Sequence, residues 1–225
     1  MSARETILGE IGRSLGRKAT ADAAREIDGR IRRHEANLIP RRAADPAKHL
    51  ALFVERSERL GVSVDVVKDA REVPEKIAAW LAKHNLPARV KMSPDSALDA
   101  YPWDASLLSI GRGRAAPDDL NSVTPAFAAI AETGTVMTVS DPARPTTLNF
   151  LPDNHAIVLN KSQIVGTLEA AWAKFRENLG GQTAMPRTVN LISGASRTGD
   201  IDARIYQGAH GPRRVHIVIV DDDRT

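Results

Sequence analysis

The 225-residue sequence contains no cysteine. That excludes disulfides, thiolate zinc sites, cysteine nucleophiles and cysteine-ligated iron–sulfur clusters within this chain. Histidine is sparse too. None of the six lies at an HxH or HxxxH spacing from another, so no motif places two imidazoles on one metal and no metal site is expected. Aromatic residues are only 4 % of the chain, and the net charge of +3 is mildly basic. Neither feature suits a nucleic-acid binder, which interleaves aromatics with strong positive charge. No apolar run is long enough to span a bilayer. The opening MSARETILGEIGRSLG spaces its apolar residues instead of joining them into a signal core. A cytoplasmic protein without a membrane span or nucleic-acid partner is expected.

What is present is an ordinary globular balance, 42 % hydrophobic and 26 % charged, enough to bury a core of useful size. Ser2 and Glu5 stand at capping-box spacing ahead of Ile7, Leu8, Ile11 and Leu15, which predicts an amphipathic helix ending near Gly16. Residues 13–42 are rich in arginine and alanine and thin in large apolar side chains. They read as a helical arm, residues 1–45, which either presents a solvated helix face or packs on another subunit, as in a homo-oligomer. The α/β domain proper is assigned to residues 46–225.

Within that domain the spacing of Leu50, Phe53, Val54 and Leu60 predicts a helix over residues 49–60, and a second is expected over 72–84. SVDVV, ARVKM, SLLSI, GTVMTVS, HAIVLN, TVNLIS and RVHIVIV read as strands. TPAFAAIAE reads as a helix. So does the stretch KSQIVGTLEAAWAKFRENLGG, with Ser162 as its N-cap and Gly180 ending it, and the shorter TGDIDARIYQG. Strands joined through helices imply a largely parallel sheet covered on both faces.

Four clusters could carry chemistry. In AETGTVMTVS, Glu132 sits with Thr133 beside Gly134, where a ligand can approach the backbone closely; the plainer alternative is a turn hydrogen bond. SDPARPTTLNFLPDNH ends in His155 at the entrance to an apolar strand, either ligand-facing or a satisfied core histidine. SGASRTGDI offers Ser193, Gly194, Ser196, Arg197, Thr198 and Asp200. These are backbone N–H groups, hydroxyls and a guanidinium suited to a carboxylate or phosphate, in neither the Walker nor the GxGxxG pattern. GAHGPRRVHIVIV places His210 in a stiff turn before the last strand.

In order along the chain, AETGTVMTVSDPARPTTLNFLPDNHAIVL, SGASRTGDI and GAHGPRRVHIVIVD resemble the LUD-domain family, and within it the lactate utilization protein C type. The resemblance covers roughly residues 124–221, with a weaker extension through LIPRRA. It implies a Rossmann-like, largely parallel α/β sheet similar to that of sugar-phosphate isomerases and CoA-transferases. It also implies a cluster-free subunit of a three-protein system that oxidises L-lactate to pyruvate, with iron–sulfur clusters on the partner proteins and no cofactor in this chain. CoA-transferases of that superfamily use a glutamate followed closely by glycine. Glu132 with Gly134 is similar, but Thr133 stands where asparagine is usual, so Glu132 is expected as a polar site residue without a covalent thioester. The alternative is a stand-alone enzyme or binding protein for a small anionic ligand. Glu132 and the SGASRT loop are expected to share one pocket, provided that GTVMTVS runs antiparallel to TVNLIS or a neighbouring subunit supplies Glu132.

Overall fold

The computed structural model describes residues 2–16, 20–35, 39–179, 185–201 and 204–222, with the side chains of all of these except Asp200, Ile201 and Arg204. The chain divides into two units, Met1–Leu38 and Ile39–Thr225.

The first unit holds α1 (Ala3–Ser14) and α2 (Ala21–Arg33). Ser2 and Glu5 form the reciprocal capping box that their spacing predicts, and Thr20 caps α2. Neither helix buries a residue, and Ile7, Leu8, Ile11, Ile27 and Ile31 are all about half exposed or more.

The second unit runs α3 (His49–Arg59), β1 (Ser63–Val67), α4 (Val73–Lys83), β2 (Arg89–Met92), β3 (Ser109–Arg112), β4 (Asn121–Pro125), β5 (Ala128–Ile130) and β6 (Thr135–Val139). It continues through α5 (Thr147–Phe150), β7 (Asn154–Asn160), β8 (Ile164–Val165), α6 (Leu168–Asn178), β9 (Val189–Ile192), β10 (Arg197–Ile201), β11 (Arg204–Gln207) and β12 (Arg214–Val220). Six strands form one sheet in the order β1-β12-β7-β4-β2-β3, every pairing parallel. This is the α/β, Rossmann-like sheet expected from the sequence. Its central strands are apolar on both faces because both are covered. Val123, Ala156, Val158, Val218 and Val220 pack toward α4 through Ile77, Trp80 and Leu81. Ile157, Leu159, Ile217 and Ile219 face Leu52 and Phe53 of α3.

That second face also meets a smaller sheet, β8-β5-β6-β9, in which β6 runs antiparallel to both β5 and β9. Its strands alternate as period two requires. Ala129 and Val136 turn to the large sheet, while Ala128, Ile130 and Met137 turn to Ala171 and Phe175 of α6.

Three expected helices differ from what is found. TPAFAAIAE contains the end of β4 and all of β5. Small buried residues there let two sheets approach, and a short run buried all round carries no helical or strand period of its own. In the stretch beginning at Lys161, the α-helix starts only at Leu168, with Thr167 rather than Ser162 as its cap. Ile164 and Val165 pair with β5 first. Gly166 is pressed so close to Ala43 O and the His49 ring that a Cβ would overlap both. Gly180 lies outside the described residues. TGDIDARIYQG, of which Asp202 and Ala203 are outside the described residues, contributes to a two-stranded hairpin of β10 and β11.

Candidate functional site

Strand order locates the crevice. From β2 the chain moves outward to β3, at one end of the large sheet, and from β4 it moves the other way to β7, while β2 and β4 are hydrogen-bonded neighbours. Their crossovers therefore leave in opposite directions, and a gap opens beyond their carboxyl ends, the usual ligand position of open α/β sheets.

Ser93 and Asp95 follow β2 there, and Thr124 is near the end of β4. The segment after β6 lies over them. Its first residues, Asp141-Pro142-Ala143-Arg144, make a β-turn in which Arg144 N–H donates to Asp141 O at 3.0 Å. The Asp141 carboxylate also accepts from the Ala143 and Arg144 N–H groups at 2.7 and 2.9 Å. Ser93 Oγ donates to Ala143 O at 2.6 Å. The turn thereby aims Arg144 inward, where its Nε donates to the buried carboxylate of Asp95 and its Nη1 lies 3.2 Å from Asp141. Its Nη2 edge has no protein partner among the described residues.

Around this arginine is a cleft of about 860 Å³, lined also by Arg114, arriving from β3, by Arg187 and Thr188 at the start of β9, and by Ser140, Thr146 and Thr147. Thr146 and Thr188 share a hydroxyl hydrogen bond of 2.9 Å, Thr147 Oγ1 accepts from Ala115 N–H, and Thr188 N–H donates to Ser140 Oγ. Arg114 and Arg187 make no ion pair among the described residues. A deeper niche of about 10 Å³, room for one water-sized atom, continues between Ser93, Thr124, Thr138, Arg144, Pro145 and Asn149. Arginine forks, hydroxyls and turn N–H groups that converge in a cleft are the chemistry of carboxylate or phosphate binding.

The residues singled out in the sequence lie elsewhere, mostly together. β6 is antiparallel to β9, with Val136 opposite Ile192. Thr133 Oγ1 consequently donates to Thr135 Oγ1 at 2.8 Å, which shares a 2.7 Å bond with Ser193 Oγ. Glu132 Oε1 accepts from Leu168 N–H at 2.8 Å, at the first turn of α6. Gly134 takes a positive φ of 68°, and a Cβ there would stand 2.7 Å from the Arg56 and Ser57 backbone. Gly194, also at positive φ, is close to Leu60 O, which accepts from Arg197 Nη2 at 3.3 Å. Ser196 exchanges backbone bonds with Pro212 and Gly208, and its Oγ accepts from the His210 N–H at 3.3 Å. Thr198 is opposite Tyr206 in the hairpin; Asp200 lies on β10, its side chain outside the described atoms. Leu60 and Pro212 precede β1 and β12, so this corner sits at the amino edge of the large sheet, across from the arginine cleft.

His155 belongs to neither corner by contact. Fully buried in β7, its ring shares a 2.7 Å hydrogen bond between Nε2 and Thr124 Oγ1. Burial pushes its pKa down to about 3, so the ring is neutral. Among the described residues no three His, Asp or Glu side chains gather to hold a metal, and no helix is long and apolar enough to cross a membrane.

Sequence reasoning did not nominate Arg114, Asp141, Arg144 or Arg187. A signal was available for the middle two: DPAR is a turn signature, directly after a strand.

An open parallel sheet with a polar crevice at its reversal of strand order defines a Rossmann-like α/β protein. Residues 122–220 match the LUD domain. The chain is 31 % identical over 131 residues to Lactate utilization protein C of Geobacillus sp. (strain WCH70), covering 57 % of this chain and 53 % of that one. It is 30 % identical over 151 residues to Lactate utilization protein C of Exiguobacterium sp. (strain ATCC BAA-1283 / AT1b), covering 67 % and 60 %. The matched part thus spans little more than half the length of these relatives. The crystal structure of a DUF162 family protein from Deinococcus radiodurans superposes with a TM-score of 0.56 at 25 % identity, covering 78 % of this chain and 98 % of that chain.

Proposed function

We propose that this chain is the cluster-free, anion-binding subunit of a lactate-utilization system that oxidises L-lactate to pyruvate with iron–sulfur partner proteins. The names of the relatives support the pathway, and the missing thiolates support the division of labour: electrons move on partners, while this chain holds a small carboxylate. The observation that carries the binding role is the meeting of Arg114, Arg144 and Arg187 at the crevice beyond β2 and β4. In a cytoplasmic assembly of this kind the arm before Pro40 would dock on another subunit, since its helices bury nothing of their own.

A second reading places the ligand at the amino-edge corner of Glu132, Thr133, Gly134, Ser193, Gly194, Ser196, Arg197, Thr198, Asp200 and His210. What favours it is the hydroxyl chain Thr133–Thr135–Ser193, which joins two of its segments.

The experiment is calorimetric titration of the purified chain with pyruvate, L-lactate and inorganic phosphate, followed by lactate oxidation in the anaerobically reconstituted complex. Arg144→Ala and Arg187→Ala should each weaken binding about tenfold, the loss of one charge-assisted pair, and lower turnover. Arg197→Ala and Glu132→Gln should leave affinity unchanged. The reverse pattern selects the amino-edge corner. Turnover by the isolated chain refutes the subunit role.

A further inference from the structure

Thr124 of the niche is hydrogen-bonded to a histidine that carries a buried polar atom without a partner. Among the described residues His155 Nδ1 is inaccessible to solvent and makes no hydrogen bond, while Nε2 of the same ring is bonded to Thr124 Oγ1 at 2.7 Å. A neutral imidazole carries one proton, on one nitrogen or the other. With the proton on Nδ1, a buried N–H donor would be orphaned. Genuinely orphaned buried N–H donors are rare in proteins. With the proton on Nε2, His155 donates to Thr124 and only a lone pair goes unmatched.

The choice of tautomer decides what Thr124 can do. If His155 donates, the hydroxyl oxygen of Thr124 is already an acceptor, and its own O–H is released from the ring. Thr124 lines the one-atom niche together with Arg144 and Asn149. Asn149 Nδ2 is committed to Thr138 Oγ1 at 3.1 Å. The Thr124 O–H is therefore an uncommitted neutral donor in the niche lining, as is that of Thr138, whose oxygen accepts from Asn149 and Asn190.

Resting on the carboxyl-edge reading of the site, we propose that Thr124 donates its hydroxyl hydrogen bond to one oxygen of the bound anion, and that His155 is a positioning residue that aims it. The niche admits a single oxygen, with Arg144 holding the remainder of a carboxylate or phosphate group at its mouth. Burial of both Thr124 and His155 keeps water from competing for the bond.

The test has two arms. In ¹⁵N-histidine-labelled protein, long-range ¹H–¹⁵N correlation should show His155 as the Nε2–H tautomer from pH 5 to 8; the Nδ1–H tautomer overturns the inference while leaving the arginine cleft intact. In titrations with pyruvate and inorganic phosphate, Thr124→Val should weaken binding of the tighter probe about tenfold. Thr124→Ser, which keeps the hydroxyl, should stay within about threefold of wild type. Unchanged affinity in Thr124→Val, with loss in Arg144→Ala, overturns the role of Thr124 alone. If neither probe binds wild type, both this inference and the site it rests on are overturned.

Discussion

Asp95 and the anion should compete for the same guanidinium, and Asp95→Asn exposes that competition. The Asp95 side chain is 6 % exposed and Arg144 38 %, so the pair is shielded on one side only. Breaking a fully buried pair by removing one partner costs about 3–5 kcal/mol. Here Arg144 keeps Asp141 at 3.2 Å and a path to solvent, and asparagine can retain the bond from Ala97 N–H, 2.8 Å in wild type. The expected cost is about 1–2 kcal/mol, or about 2–8 °C in Tm for a domain of this size. Binding should change the other way. Removing a carboxylate that touches the guanidinium should strengthen its field on a ligand by on the order of 1 kcal/mol, about fivefold in Kd. Differential scanning fluorimetry and calorimetry with inorganic phosphate measure the two effects on one sample. A variant that is less stable yet binds tighter fits the competition. One that loses stability and affinity together shows that Asp95 supports the cleft and does not contend for it.

Gly134→Ala should be among the costliest single-methyl changes. It forces an L-residue to positive φ and sets a Cβ 2.7 Å from the α3 backbone, so a loss of about 2–4 kcal/mol in urea denaturation is expected. Glu132→Ala should lower stability by about 1 kcal/mol by leaving the Leu168 N–H in the first turn of α6 without its acceptor, with no effect on phosphate affinity. The chain should denature in mild acid. Burial depresses the folded-state pKa of His155 to about 3 and of His216 to about 4, both below the unfolded value near 6.5. The unfolded chain then binds more protons. Stability is intact above pH 6.5 and falls by up to about 1.4 kcal/mol per pH unit for each histidine as pH drops toward 4. A melting temperature constant from pH 7 to 4.5 contradicts this. Deleting residues up to Pro40 should weaken subunit association more than it lowers the melting temperature, as analytical ultracentrifugation and scanning fluorimetry together would show.

Much of the large sheet was legible because its strands announce themselves. SVDVV and RVHIVIV coincide with β1 and β12 residue for residue, and Leu50, Phe53 and Val54 mark α3 by their spacing. The smaller sheet was not. Ala128, Ala129 and Ala131 are small because two layers meet over them, yet alanine is also the best helix former, and propensity without a period points the wrong way. That misreading carried into the site. As a strand of the parallel sheet, TVNLIS would deliver SGASRT to the carboxyl edge. Because β9 belongs to the antiparallel sheet, it delivers the loop to the amino edge. The antiparallel run of β6 against β9, named as a condition for Glu132 and the loop to meet, is what joins Thr133 to Ser193 through Thr135. The arginine cleft draws on segments after β3 and β6 and before β9, and their convergence follows from strand order alone.

The hairpin strand β6 also works as a ruler. Its five residues span about 17 Å, with the hydroxyl corner at one end and the Asp141 turn at the other. Deleting one residue would rotate Val136 and Thr138 from the large sheet toward α6. Deleting two would restore the faces but draw Arg144 back by roughly 7 Å, out of reach of Asp95. The reach of that arginine is thus set by a count of peptide units.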